Sequence, residues 1–143
     1  MKTIRATWRL FLLAIFTTWK TAQALLPVLT RGYDLRHALR TRREWAALIT
    51  YKVGIRARFI GEIPDFPCLL LANHRSYLDP ILILAVTEAF PVSKAEARKW
   101  PVLGSGAAAT GVIFLNRDSV KSRGETLQAI STKISEGFRV ILF

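Results

Sequence analysis

Cysteine and histidine are scarce in this 143-residue chain, and this narrows the chemistry available to it. The single cysteine, Cys68, excludes an intramolecular disulfide and leaves no cysteine-based metal site. We expect Cys68 to be a small buried hydrophobic residue rather than a nucleophile. A neutral imidazole is the side chain best suited to take a proton near pH 7, and the chain has only two histidines.

Long uninterrupted apolar runs are also missing, although 51% of the residues are hydrophobic. No run of about 18 uncharged apolar residues occurs, so the sequence predicts no ordinary membrane-spanning helix. The length corresponds to one domain with a sizeable core.

Acidic residues are rare in the first part of the chain. Residues 1–60 carry twelve Lys or Arg and two acids, whereas residues 61–143 carry nine and eight. Because the basic residues flank Trp and Leu, the first part is expected to meet an anionic membrane surface rather than nucleic acid. The alternative, a nucleic-acid binder, predicts a salt-sensitive affinity for DNA.

The N-terminal segment contains a short apolar run, residues 10–16, between Trp8 and Trp19. Tryptophans at both ends favour an interfacial or re-entrant helix, and we expect it to break near Pro27. A signal peptide is the competing interpretation, with a cleavage site at residues 22–24. A retained anchor is favoured because Trp19 and Lys20 precede that site.

Residues 34–53 have apolar side chains near a 3.6-residue period, which predicts an amphipathic helix. Its arginines, Arg42 among them, form either the solvated face of a core helix or a second membrane-surface helix. Residues 1–53 are therefore predicted to be membrane-anchoring helices.

Residues 54–143 alternate strand-like and helix-like patterns, which predicts an α/β fold with a layered mixed or parallel sheet and flanking helices. The expected helices cover 79–90 and 119–136, the second with Leu127, Ile130 and Ile134 on its apolar side. The expected strands are 55–60, 68–72, 90–93, 112–115 and 139–143, with 68–72 and 112–115 of the fully buried type. The chain stops within the last strand, so this domain is expected to be incomplete.

The segment Asn73 to Pro80 places His74 five positions before Asp79, between a predicted strand and a predicted helix. Open α/β sheets bind ligands at this position. An aspartate can hold a histidine ring in one tautomer, and the histidine can then activate a hydroxyl group. The plainer alternative is a capping Asp79 and a loop His74. Ser76 is not expected to be a nucleophile, because it lacks a Gly-x-Ser-x-Gly turn.

A second pattern runs from Gly111 through Phe114 to Arg117. If the strands are parallel, Arg117 lies at the same sheet edge as His74. An arginine there can bind a phosphate through two hydrogen bonds. The alternative is a surface arginine paired with Asp118 or Glu125.

Together, these residues resemble the glycerolipid acyltransferase superfamily, of the 1-acylglycerol-3-phosphate (lysophosphatidic acid) acyltransferase type. The family's Asn-His-x-x-x-x-Asp motif matches Asn73, His74 and Asp79, and its Gly-x-x-Phe-x-x-Arg pattern matches Gly111, Phe114 and Arg117. Lys94 and residues 98–104 are also similar to the family. The family's third motif, Pro-Glu-Gly-Thr/Ser, normally follows a strand like 139–143, which implies a C-terminally truncated acyltransferase.

The resemblance implies transfer of a fatty acyl group from acyl-CoA or acyl-carrier protein to the free hydroxyl of a lysophospholipid at the cytoplasmic face of a membrane. It makes His74 the general base and Asp79 its partner, with no cofactor or metal. The remaining expected acceptors are glycerol-3-phosphate and lyso-ornithine lipid, and a catalytically inactive lipid-binding fragment is a further alternative. The residues expected to bind substrate are Asn73, Arg75, Ser76, Gly111, Phe114 and Arg117.

Overall fold

The structure, a computed structural model, describes residues 2–143. Two helices precede a segment in which strands and helices alternate. In chain order the elements are α1 (Lys2–Thr30), α2 (Leu35–Val53), β1 (Leu69–Leu71), α3 (Asp79–Leu84), β2 (Phe90–Lys94), a 3-10 helix (Ala95–Lys99), α4 (Leu103–Ala109), β3 (Ile113–Leu115), α5 (Val120–Ser135) and β4 (Val140–Leu142).

The strands form a four-stranded parallel sheet in the order β1-β4-β2-β3. Leu69 pairs with Val140, Phe90 also pairs with Val140, and Val92 pairs with Ile113. All strands therefore end at the same edge of the sheet. The predicted α/β class with flanking helices is confirmed.

Three strand predictions were wrong, one in its existence and two in their burial. Residues 55–60 form no strand, because nearly all of them are solvent-exposed and no described strand pairs with them. β1 is not buried on both faces: Leu71 is 73% exposed, and within residues 2–143 the strand lies at the sheet edge and pairs only with β4. Its neighbour Cys68 is half-buried rather than buried. β3 is likewise half-buried along its length.

The helices flanking the sheet differ from prediction in extent and orientation. α3 ends at Leu84 rather than near Phe90, because Phe90 enters the sheet and its N–H donates to the Arg139 carbonyl. In α5, Leu127 is 68% exposed instead of packed. The buried stripe contains Thr126 and Ile130, four residues apart and so on one helix face.

α1 continues through Pro27 to Thr30, so the predicted break is wrong. Pro27 has no N–H to donate to the carbonyl one turn earlier, that of Gln23. In the structure the Nε2 atom of His37 on α2 lies 3.2 Å from that carbonyl oxygen and can donate to it in the tautomer that carries the proton on Nε2. By length and composition alone, residues 3–30 are long and apolar enough to cross a membrane. The prediction that no helix is long and apolar enough to span a membrane, which relied on the charges that interrupt this segment, was therefore wrong.

Polar contacts fasten α1 to α2. The Lys20 ammonium lies 2.6 Å from a Glu44 carboxylate oxygen, and Trp45 donates its indole N–H to the Thr17 hydroxyl at 3.0 Å. The hydrogen bond from Lys20 lowers the pKa of Glu44. At its N-terminus α2 is capped by Asp34, which accepts two backbone N–H groups. The two helices therefore form a packed hairpin.

The hydrophobic core lies between α2, the sheet and α5. Its buried residues are Leu39, Phe90, Val92, Ile130 and Val140. α2 is thus a core helix, the first of its two predicted roles. Arg42 departs from that prediction, because its side chain is buried rather than on the solvated face.

Candidate active site

The loop between β1 and α3 folds around the Asp79 carboxylate. One oxygen of this group, Oδ2, accepts hydrogen bonds from the backbone N–H groups of Arg75 at 2.6 Å and Ser76 at 2.7 Å. The same oxygen lies 3.2 Å from Nδ1 of His74. The Ser76 hydroxyl accepts the N–H of Leu78. The structure therefore brings His74 and Asp79 together.

These contacts stabilise the ionised form of Asp79. The pKa of this carboxyl is lowered, first by the N–H groups of Ser76 and Arg75 and then by His74. An ionised Asp79 can accept a hydrogen bond from the Nδ1–H group of His74. In that tautomer of the neutral ring, Nε2 carries no proton. The site therefore contains a histidine arranged to take a proton.

A shallow pocket adjoins His74. It has a volume of about 310 Å³ and is lined by Leu71, Ala72, Asn73, Leu142 and Phe143. The Phe143 ring lies 5.1 Å from the His74 ring. The parallel pairing of β1 with β4 explains this contact, because the chain leaves both strands at the same edge.

Arg117 lies at the same sheet edge as His74, but at the other end of the sheet. β1 and β3 are the two outer strands, separated by β4 and β2. Three strand spacings correspond to about 14 Å, so the two residues are not neighbours. Arg117 is solvent-exposed, and its backbone carbonyl accepts a hydrogen bond from Arg123 at 2.8 Å.

Gly111 lies just before β3, and Phe114 lies within it. Gly111 precedes the strand, at the edge opposite His74, and has a φ of 81°. A Cβ atom there would lie 2.7 Å from Cε1 of Phe90, so glycine is needed for both conformation and packing. Phe114 is half-buried, and the Arg98 guanidinium lies 5.8 Å from its ring centre.

Other groups near this edge had no role assigned from sequence. β2 ends on Lys94, one strand closer to His74 than Arg117, and Lys94 is exposed. The rings of Tyr77 and Trp100 lie 6.2 Å apart beside the His74 loop. Trp100 also lines a larger open groove of about 610 Å³, between the C-terminal part of α1 and α4. The position of Lys94 between His74 and Arg117 follows from strand order, which a single sequence does not reveal.

Comparison with known proteins identifies the class. The acyltransferase family matches residues 55–143. A lyso-ornithine lipid O-acyltransferase of Rhizobium meliloti is 30% identical over 122 residues, which are 83% of this chain and 42% of the relative. The enzyme of the same name from Pseudomonas aeruginosa is 34% identical over 73% of this chain and 40% of its own length.

Relatives with a second name also match. A 1-acyl-sn-glycerol-3-phosphate acyltransferase of Neisseria gonorrhoeae is 33% identical over 68% of this chain and 38% of its own length. No solved structure matches significantly. The chain spans less than half the length of these three curated relatives. It belongs to the acyltransferase family, and its site residues lie within the matched region.

Proposed function

We propose that this chain carries the catalytic base of an O-acyltransferase that moves a fatty acyl group from a thioester to the hydroxyl of a lysophospholipid. The observation that carries the proposal is the contact of 3.2 Å between His74 and Asp79 at the sheet edge. Nε2 of His74 removes the hydroxyl proton as the oxygen attacks the thioester carbonyl. The tetrahedral intermediate then collapses, forming the ester and expelling the thiolate, which receives the proton from His74.

Stabilisation of the intermediate is assigned to Asn73. The backbone N–H groups of Arg75 and Ser76 already donate to Asp79 and are not free to bind an oxyanion. Asn73 is exposed and lines the pocket beside His74, where its amide can donate. The thioester is already activated, so the proposed reaction uses neither a metal nor a cofactor.

The acceptor we favour is 1-acylglycerol-3-phosphate, since its phosphate suits Arg117. Lys94, at the end of the adjacent strand, adds a second positive charge closer to His74. Lyso-ornithine lipid is the second candidate, and two of the relatives described above carry that name. Glycerol-3-phosphate is a third acceptor with the same phosphate.

The site is proposed to work at the cytoplasmic face of a membrane. α1 exposes apolar side chains along its length, including Trp8 at 58%, Phe11 at 52% and Trp19 at 53%. Basic residues on this helix and in the following segment would attract anionic lipid headgroups, and also acyl-CoA or acyl-carrier protein, both acidic donors. Nucleic acid is not a proposed partner.

The test is an acyl-transfer assay with purified protein, two donors (acyl-CoA and acyl-carrier protein) and the three acceptors. His74→Ala should lower kcat by roughly 10²–10⁴-fold, the usual contribution of a general base. His37→Ala is the matched control: His37 lies on α2 away from the sheet edge, so losing its contact with the Gln23 carbonyl should affect stability and leave kcat unchanged. Wild-type transfer by His74→Ala would contradict the assignment.

Membrane association has a separate test. Vesicles containing anionic lipid should bind the protein more tightly than neutral vesicles, and salt should weaken that difference. Double-stranded DNA serves as the competing polyanion. Tight, salt-sensitive DNA binding without vesicle binding would instead favour a nucleic-acid function.

A further inference from the structure

Arg42 on α2 is a buried cation that donates hydrogen bonds to backbone carbonyls just before two strands, β2 and β3. Its side chain is 4% exposed. Nη1 donates to the Thr110 carbonyl at 2.6 Å, and Nη2 donates to the Ala89 carbonyl at 2.5 Å. Its guanidinium also lies 5.9 Å from the Phe90 ring centre. One planar group thus binds the residue before β2 and a residue shortly before β3.

The two carbonyls occupy equivalent positions in the β2–β3 pair. Val92 pairs with Ile113, and counting back equally from each reaches Ala89 and Thr110. The spacing between the two N–H donors of a guanidinium is fixed by its planar geometry. Arg42 can therefore satisfy both carbonyls only while this register is kept.

The strand pairing alone specifies that register weakly. β3 has only three residues, Ile113–Leu115. A one-residue slip would turn Phe114 to the opposite face of the sheet and displace the chain that follows it. Gly111 adds a second restraint, because its backbone packs closely against Phe90.

Burying this charge is costly. Removal from water lowers the pKa of Arg42 to about 10, although it stays protonated at neutral pH. Its hydrogen-bond acceptors in the described structure are these two carbonyls, while the Glu88 carboxylate favours the charge from a distance and is paired with Arg43 at 3.2 Å. An apolar side chain would avoid this cost, which suggests a role in specifying geometry.

We propose that Arg42 is a positioning residue that locks the register of β3 on β2 and thereby holds Arg117 at the acceptor site. The inference rests on the proposed role of Arg117 in binding the acceptor phosphate. Arg42 lies at the opposite ends of these strands from His74, so it acts through the backbone and not on the reacting atoms. A lysine at this position would keep the charge but lose the two-pronged geometry.

The experiment compares Arg42→Lys, Arg42→Met, Arg117→Ala and the combination of Arg42→Lys with Arg117→Ala in the purified protein. Arg40→Lys, on the exposed side of α2, is the matched control. Arg42→Lys should raise the KM for 1-acylglycerol-3-phosphate about tenfold while leaving the KM for the donor unchanged. In the Arg117→Ala background the same change should raise the KM for the acceptor little further.

Amide hydrogen exchange supplies a readout that is independent of activity. If Arg42→Met folds poorly, this measurement on Arg42→Lys decides whether Arg42 fixes the register of β3. Arg42→Lys should accelerate exchange in residues 112–117 more than in β1 and β4. An unchanged acceptor KM with a lowered Tm, additive effects with Arg117→Ala, or uniform exchange would overturn the proposal. If Arg117→Ala itself leaves the KM unchanged, the proposed function of Arg117 fails, and the exchange pattern alone decides whether Arg42 locks the register.

Discussion

The Phe143 ring lies 5.1 Å from the His74 ring, at a tilt of 49°. The contact joins the ends of two strands that are far apart in sequence, β1 and β4. Two groups therefore restrain the imidazole: the Phe143 ring, and the Asp79 carboxylate, whose Oδ2 atom lies 3.2 Å from Nδ1. The orientation of the proposed base therefore depends on strand pairing as well as on its own loop.

Removing this ring should loosen His74. We expect Phe143→Ala to lower kcat by roughly twofold to tenfold, corresponding to the ~0.5–1.5 kcal/mol typical of an aromatic contact. Phe143→Leu restores apolar bulk and should recover part of the rate. Steady-state kinetics at saturating donor and acceptor measure both variants. Equal, unchanged rates would show that the ring does not orient His74.

The pH dependence of the His74 loop follows from Asp79. The pKa of this carboxyl is lowered in the folded state from its ordinary value of 3.8. Its contribution to loop stability is therefore complete above pH 3.8 and is lost as the pH falls through the lower, folded-state pKa. The amide resonances of Arg75 and Ser76, followed by NMR, should therefore shift as the pH falls below 3.8 and Asp79 takes up a proton.

Asp79→Asn is the control for that titration. It removes the charge while keeping a side chain that can accept one of the two N–H groups. The acid-induced shift of both amides should disappear in this variant, and kcat should fall because the ring of His74 loses its anionic partner. A shift that persists in Asp79→Asn would assign the titration to another group.

Gly111 should tolerate no side chain. Its φ of 81° lies in the left-handed region, and a Cβ atom would meet the Phe90 ring at 2.7 Å. Gly111→Ala should cost at least ~1–3 kcal/mol of unfolding free energy, measured by denaturant titration. Gly124→Ala is the matched control in α5, where a Cβ meets nothing within 4 Å. It should stabilise the protein by about 0.5–1 kcal/mol.

The same titration tests the core. Leu39 on α2 is 2% exposed and packs in the sheet core, so Leu39→Ala should cost about 2–5 kcal/mol. Leu127→Ala makes the same chemical change at a side chain that is 68% exposed, and should alter stability by no more than about 0.5 kcal/mol. Similar losses at both positions would contradict the observed orientation of α5.

Local sequence patterns predicted much of the fold. The predictions were wrong where the structure depends on contacts between distant parts of the chain. The extent of α2 followed from its 3.6-residue period, and the meeting of His74 with Asp79 followed from their spacing between a strand and a helix. The pattern of residues 55–60 predicts a strand, but a strand also needs a partner edge. Burial of Arg42 and exposure of Leu71 depend on which elements cover them, information that periodicity does not contain.

The positions of the candidate site residues were likewise predicted only in part. A shared sheet edge for His74 and Arg117 follows from parallel strands, but their separation follows from strand order. That order places β4 and β2 between them and brings Lys94 nearer to His74. The hydrogen bonds of Arg42 link α2 to the residues before β2 and before β3. No pattern within any one of these three segments predicts them.

The central place of β4 has a kinetic consequence. Among the strands of residues 2–143, β4 comes last in sequence, yet it lies between β1 and β2 and is the one described partner of β1. During synthesis, β1 and the His74 loop must wait until almost all of this segment has left the ribosome before they can settle. Such long-range pairing is slow to form, so newly made protein spends time with the apolar β1 unpaired and prone to association with other chains.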